Sequence, residues 1–287
     1  MADRLKIWAQ HLMPKRRMTQ FAGRVAGAQG GAWTQALIRW FVKRYDVDMT
    51  EAQDPDLASY DSFNAFFTRP LRNGVRPIAD APFVSPVDGA VSQFGAIDDH
   101  RMVQAKGHSF TTTELLAGDT DLAARFRHGS FANVYLSPRD YHRIHMPCDG
   151  RLIRMIYVPG ALFSVNPATA RGVKGLFARN ERIVCVFESV EHGPFVMVLV
   201  GATIVGSMAT VWHGVVNPRR TGRMAEWAYG KHDIVLAKGE EMGRFLLGST
   251  VIMLFEADTI AFNEDWAPEH SVRLGEKMGD ALSSGGA

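Results

Sequence analysis

The chain has 287 residues, 46% of them hydrophobic, with 32 Lys and Arg against 30 Asp and Glu. A chain this long buries a sizeable core without a metal or disulfide staple, and its net charge of +2 gives no argument for a nucleic-acid partner. Cys148 and Cys185 lie far apart with no CxxC spacing, which argues against a zinc ribbon or a disulfide scaffold and suits a reducing compartment.

Charge is unevenly distributed. Residues 1–46 hold nine basic residues and two acids, a charge of +7, so residues 47–287 carry −5. Leu5, Trp8, Leu12 and Met13 recur at helical spacing, as do Trp33, Leu37, Trp40, Phe41 and Tyr45, with Pro14 and Gly30-Gly31 as breaks. Two or three short amphipathic helices are expected, with tryptophans on the apolar side and Lys/Arg opposite. Such helices either lie in a membrane interface or form a helical cap on the core. Arg4, Lys6, Lys15 and Arg16 break up the early apolar residues, so no secretory signal is expected. Residues 47–80 read as a polar helical connector. In it Phe63, Phe66 and Phe67 share one face behind Asp61 or Ser62 as cap, and Pro70 ends the helix.

From Phe83 onward the pattern turns to β. Strands are expected over Ala90–Ile97, Met102–Lys106, Ala132–Leu136, Leu152–Val158, Ile183–Val190, His232–Ala237 and Thr250–Phe255, with a helix at Thr112–Leu116. The longest uncharged run, Phe195 to Trp212, matches a bilayer span in length. It contains Gly201, Thr203, Gly206, Ser207 and Thr210, however, and reads better as two adjacent buried strands joined near Gly201 or Gly206. The fold class is therefore α+β: amphipathic N-terminal helices, then a mostly antiparallel β barrel or sandwich over residues 83–278. Residues 279–287 are small and polar and are expected to be a disordered tail.

The stretch that carries chemistry is Gly248-Ser249-Thr250, set just before the apolar run Val251–Phe255. Gly248 frees the backbone, and Ser249 can turn its oxygen onto the Gly248 carbonyl. Attack there gives an ester by N-to-O shift, and β-elimination then cuts the chain and leaves a dehydroalanine. Addition of water with loss of ammonia makes that residue a pyruvoyl group, a carbonyl electron sink. An isolated Gly-Ser-Thr is more simply a turn capping a core strand. Asp88 is also a good turn residue, and His145, before Met146-Pro147, would serve as a core histidine.

Three motifs in this order, Ser85-Pro86-Val87-Asp88-Gly89, Tyr141-His142-Arg143-Ile144-His145-Met146-Pro147 and Leu247-Gly248-Ser249-Thr250, closely resemble the phosphatidylserine decarboxylases of the bacterial membrane-associated type. The resemblance extends to Phe163-Ser164-Val165-Asn166-Pro167 and to the amino-terminal region. It implies a proenzyme that cuts itself between Gly248 and Ser249 into a large and a small chain, carries a pyruvoyl group derived from Ser249, and converts phosphatidylserine to phosphatidylethanolamine. By the same resemblance His145 is the base, Asp88 the acid that orients it, and His142 an assistant in decarboxylation. Phe163, Ser164, Val165 and Asn166 line the substrate site. No metal is implied. A homodimer, peripheral on the cytoplasmic face of the cell membrane and held to the anionic surface by residues 1–46, is the expected form. Arg219 and Arg220 either hold the lipid phosphate or form a solvated basic turn.

Three rival readings exist. A serine hydrolase could use Ser249, His145 and Asp88 on a lipid or peptide, but Gly107-His108-Ser109-Phe110-Thr111 and Gly248-Ser249-Thr250 both miss the GxSxG elbow. A zinc enzyme using His142, His145, Asp88 and His128 lacks the HExxH spacing. A non-catalytic β module tethered to lipid would never cut itself.

Overall fold

The computed structural model describes residues 15–105, 107–203, 207–216, 222–246 and 248–282. Leu5, Trp8, Leu12 and Met13, the Arg219–Arg220 pair and Leu247 lie outside them.

Two helices open the described residues. Helix α1 spans Lys15–Gly27, and helix α2 spans Ala32–Tyr45 just after Gly30-Gly31. Gly30 and Gly31 both take positive φ, which suits glycine. Ser62 caps a third, short helix, Phe63–Phe67, by accepting from the Ala65 amide. Its three phenylalanines pack with Ile38 and Phe41 of α2 into a small core of their own. The remainder of residues 47–80 is turns and one 3₁₀ turn, Leu57–Ser59, so the connector is less helical than its composition suggested. The apolar residues of α2 also divide. Thr34, Ile38 and Phe41 face the small core, whereas Trp33 and Trp40 stay 89% and 55% exposed. Among the described residues no helix is long and apolar enough to cross a membrane.

Nine antiparallel strands form the main sheet. Its order is Ala225–Ala228, Gly150–Val158, Arg182–Ser189, Gly193–Val200, Thr250–Phe255, Ser130–Tyr135, Gly89–Ala96 and Ser271–Val272, with Val235–Leu236 also paired to Gly150–Val158. The strand Thr250–Phe255 lies between two neighbours, with Thr250 opposite Val200 on one side and Tyr135 on the other. Both its faces are covered: Val251, Met253 and Phe255 enter one apolar layer, and Ile252 and Leu254 the other. That is why it reads as an unbroken apolar run rather than an alternation.

Two smaller sheets cover the first face. One orders Gly214–Val215, Met208–Thr210, Glu241–Phe245 and Arg143–His145; the other orders Phe83–Val84, Lys277–Ala281 and Ile260–Phe262. Met208, Ile144, Met242, Phe245 and Met278 from these sheets pack with Val134, Met197 and Met253 of the main sheet. The second face is covered by the hairpin Arg101–Ala105/His108–Thr111 and by short helices, among them Thr112–Leu115 and Leu176–Arg179.

Among the described residues the architecture is layered and open, so the barrel alternative gives way to packed sheets. The run Phe195–Trp212 does split into two strands, but they are not neighbours. Gly193–Val200 lies in the main sheet and Met208–Thr210 in the four-stranded one. Asp280, expected in a disordered tail, instead pairs with Ala261 within Lys277–Ala281.

Candidate active site

Ser249 sits at the entry of the central strand. It is fully buried, and its carbonyl accepts a 2.8 Å hydrogen bond from the Leu136 amide. Among the described residues its hydroxyl has no hydrogen-bond partner. A buried unpaired hydroxyl costs about 1–3 kcal/mol; among the described residues those of Thr112, Thr210 and Thr250 are also unpaired, so what sets Ser249 apart is the glycine and imidazole beside it. Gly248 is held tightly: a Cβ added there would lie 2.9 Å from His142 Nε2 and 3.4 Å from the Leu136 carbonyl oxygen.

His142 is the imidazole that meets this peptide. It precedes the strand Arg143–His145, which pairs with Glu241–Phe245, and the Phe245 amide donates to the His142 carbonyl at 3.0 Å. The chain leaving Phe245 returns three residues later at Gly248. The His142 ring packs on Phe67, centroids 4.0 Å apart, so the helical cap forms one wall. Nδ1 lies 2.7 Å from the Asp140 carbonyl, which can only accept. Nδ1 therefore carries the proton and Nε2 is a bare base. Nε2 is buried and, among the described residues, without a partner. Burial pushes the pKa of His142 down to about 3, so it is neutral at pH 7.

His145 is half-buried and has the same tautomer. Its Nδ1 donates to the Gly239 carbonyl at 2.9 Å, and its Nε2 accepts from the Tyr141 hydroxyl at 3.2 Å. Burial lowers its pKa as well.

Asp88 is 7% exposed and is held by other groups. Arg76 grips it through Nε at 3.0 Å and Nη2 at 2.6 Å, and the Leu274 amide donates to it at 2.8 Å. The same Arg76 Nη2 reaches Glu51 at 2.6 Å. The structure thus brings His142 to the Gly248-Ser249 bond, with Asp88 and His145 each bonded to other partners.

Phe163 and Val165 are buried in the second apolar layer, the one that receives Ile252. Asn180 fixes this segment by accepting from the Phe163 amide and donating to its carbonyl. Asn166 caps the helix Pro167–Ala170, its side chain accepting from the Thr169 amide, and the Asn166 amide reaches the Ser164 hydroxyl at 3.5 Å.

Two residues at the site were missed in the sequence. Tyr141 hydrogen-bonds His145, and Asp140 positions His142 through its carbonyl. The Asp140 side chain accepts from the Ser137 amide at 2.6 Å, and burial raises its pKa. The turn Ser137-Pro138-Arg139-Asp140 was the available signal, since Asp after Pro commonly closes a turn onto its own backbone.

Comparison with known proteins identifies the family. The family model described as phosphatidylserine decarboxylase matches residues 63–280, and a model described as PSD matches residues 5–46. A protein of Azoarcus sp. (strain BH72) is 68% identical over 283 residues, covering 99% of this chain and 98% of its own. One of Dechloromonas aromatica (strain RCB) is 65% identical over 279 residues, covering 97% and 99%. A third, from Herminiimonas arsenicoxydans, is 64% identical over 284 residues, covering 99% and 96%. Each of these relatives is named a phosphatidylserine decarboxylase proenzyme. With matches over nearly its whole length, the chain belongs to the phosphatidylserine decarboxylase family, a family of carboxy-lyases.

Proposed function

We propose that this protein decarboxylates phosphatidylserine to phosphatidylethanolamine, using a pyruvoyl group that it makes from Ser249 by cutting the Gly248–Ser249 bond. One observation carries the self-cleavage reading: a buried, unpartnered serine hydroxyl follows a glycine against which a bare imidazole nitrogen stands. The position fits the product, because a pyruvoyl group keeps the three carbons of serine. When formed, it supplies a carbonyl electron sink next to the amide that follows it. The Leu136 amide, bonded to the Ser249 carbonyl, is placed to stabilise negative charge on that oxygen.

In this reading His145 takes the Ser249 proton and Asp88 orients it, once each has left its present partner. His142 serves decarboxylation by holding or returning a proton, and Phe163, Ser164, Val165 and Asn166 line the substrate site. The approach of His142 Nε2 to Gly248 favours a second division of labour, in which His142 is the base for cleavage.

The protein binds an anionic membrane surface on the cytoplasmic side in this reading, and exposed Phe21, Trp33 and Trp40 on the helical cap support the interfacial part of it. The chain would then act as a peripheral protein there.

Intact-mass measurement tests the central claim. Wild type should yield fragments of 248 and 39 residues, the smaller blocked at its amino terminus and reactive with hydroxylamine. Ser249→Ala should stay whole. A wild-type chain that remains intact on prolonged incubation would refute the reading. His145→Ala and Asp88→Asn should slow cleavage, whereas His142→Ala should cleave and turn over poorly. If His142→Ala alone blocks cleavage, the second assignment of the base is correct.

A further inference from the structure

A cavity of about 360 Å³ lies between the helical cap and the main sheet, behind the loop that carries His142. Arg69, two residues past the helix Phe63–Phe67, reaches into it. The residue is 4% exposed, and its guanidinium lies 5.4 Å from the centre of the Phe66 ring. Its Nε is buried and, among the described residues, without a hydrogen-bond partner. The guanidinium makes one long hydrogen bond, Nη2 to the Arg139 carbonyl at 3.5 Å. Burial lowers its pKa, but an arginine stays charged at neutral pH.

The cavity is lined by Asp46, Asp48, Glu51, Asp88 and Asp140 against Arg69, Arg76, Arg139 and Arg273. Arg76 holds Asp88 and Glu51, and Arg273 also reaches Glu51 at 3.2 Å. Asp140 accepts from the Ser137 amide. Asp46 and Asp48 are exposed at the rim, and Asp48 is bonded by Thr50. Among the described residues Arg69 is the arginine of this set with no carboxylate within ion-pair distance. Asp88, Glu51 and Asp48 act on Arg69 only from a distance, and a buried charge without a directly bonded counter-ion is costly unless a ligand completes it. Arg139, exposed at the mouth, lies 3.9 Å from the Asp140 carboxylate, a loose pair that leaves its outer face open on the approach.

We propose that this cavity binds a phosphate group, with the planar fork of Arg69 as its buried anchor and Arg139 at its mouth. Guanidinium pairs with phosphate oxygens through two parallel hydrogen bonds, which a lone ammonium cannot do. A phospholipid headgroup and free phosphate share this chemistry. Its floor is formed in part by Asp140 and Tyr141, so an occupant would brace the loop that holds both histidines. The inference is independent of which histidine drives cleavage.

The test is thermal unfolding of the purified protein at constant ionic strength in chloride, with inorganic phosphate in one series and glycerophosphoserine in another. At tenfold excess over the dissociation constant, Tm of the wild type should rise by roughly 2–3 °C. In Arg69→Met that rise should vanish, and without phosphate the variant should melt no lower than wild type, because an unpaired buried charge has gone. A rise with glycerophosphoserine alone identifies a lipid headgroup as the ligand. A rise with inorganic phosphate alone identifies the free anion. No rise with either compound in the wild type, or an equal rise in Arg69→Met, would overturn the proposal. If Arg69→Met fails to fold, Arg69→Lys decides. It keeps the charge without the fork and should bind roughly tenfold more weakly, and unchanged affinity would overturn the proposal.

Discussion

Acid should destabilise the uncut chain through His142 in a calculable way. In the unfolded chain a histidine takes up its proton near pH 6.5, whereas in the folded chain burial delays uptake by His142 until about pH 3. The unfolded state therefore binds more protons between these values, and stability falls as pH falls through that window. From pH 7 to pH 5 the loss from His142 alone is about 2 kcal/mol, and it is the same whether the folded group titrates at 3 or at 4, because both lie below pH 5. His145, also lowered by burial, adds to the loss with the same sign. The experiment compares Ser249→Ala, which keeps the chain whole, with Ser249→Ala/His142→Gln by urea unfolding at pH 7 and pH 5. The second protein has no titrating group at position 142, and its loss should be smaller by about 2 kcal/mol. Identical pH dependence in the two proteins would show that His142 is not held neutral by burial and would undo the assignment of Nε2 as a bare base.

Three other outcomes are expected. Gly248→Ala would place a methyl 2.9 Å from His142 Nε2, so its self-cleavage should slow at least roughly tenfold with an unchanged circular dichroism spectrum, followed by fragment appearance on a gel. Gly150→Ala would drive a methyl to 2.7 Å from the Phe195 ring and 3.1 Å from Met146, both buried, and should cost about 1–3 kcal/mol in urea unfolding. Replacing Trp33 and Trp40 by Ser should weaken the salt-resistant part of sedimentation with anionic vesicles while self-cleavage continues, because both rings face outward. Unchanged vesicle binding would leave α1 and α2 as a structural cap only.

The local features of this protein were legible in its residues because they depend on neighbours in the chain. Gly30-Gly31 marks where α2 begins, and Ser62 caps the short phenylalanine helix, as expected from backbone chemistry alone. The apolar run Thr250–Phe255 shows its burial on both faces directly, which also places Ser249 at the mouth of a core strand. The Gly-Ser bond and the two histidines were visible as motifs.

Partnership between distant segments was not legible, because a period of two says which face is buried but not which strand lies alongside. Thus Phe195–Trp212 was divided correctly, yet only the tertiary structure sends its two strands to different sheets. The same holds for the outward turn of Trp33 and Trp40 within an apolar stripe, which depends on how narrow a face the small core can cover. At the site, Asp88 is gripped by an arginine from the connector and by an amide 186 residues away. His142, not His145, comes against Gly248, because the strand Glu241–Phe245 pairs beside Arg143–His145 and carries the chain back to that ring. Motifs name the candidate groups, whereas the order and register of strands far apart in sequence decide which of them touch.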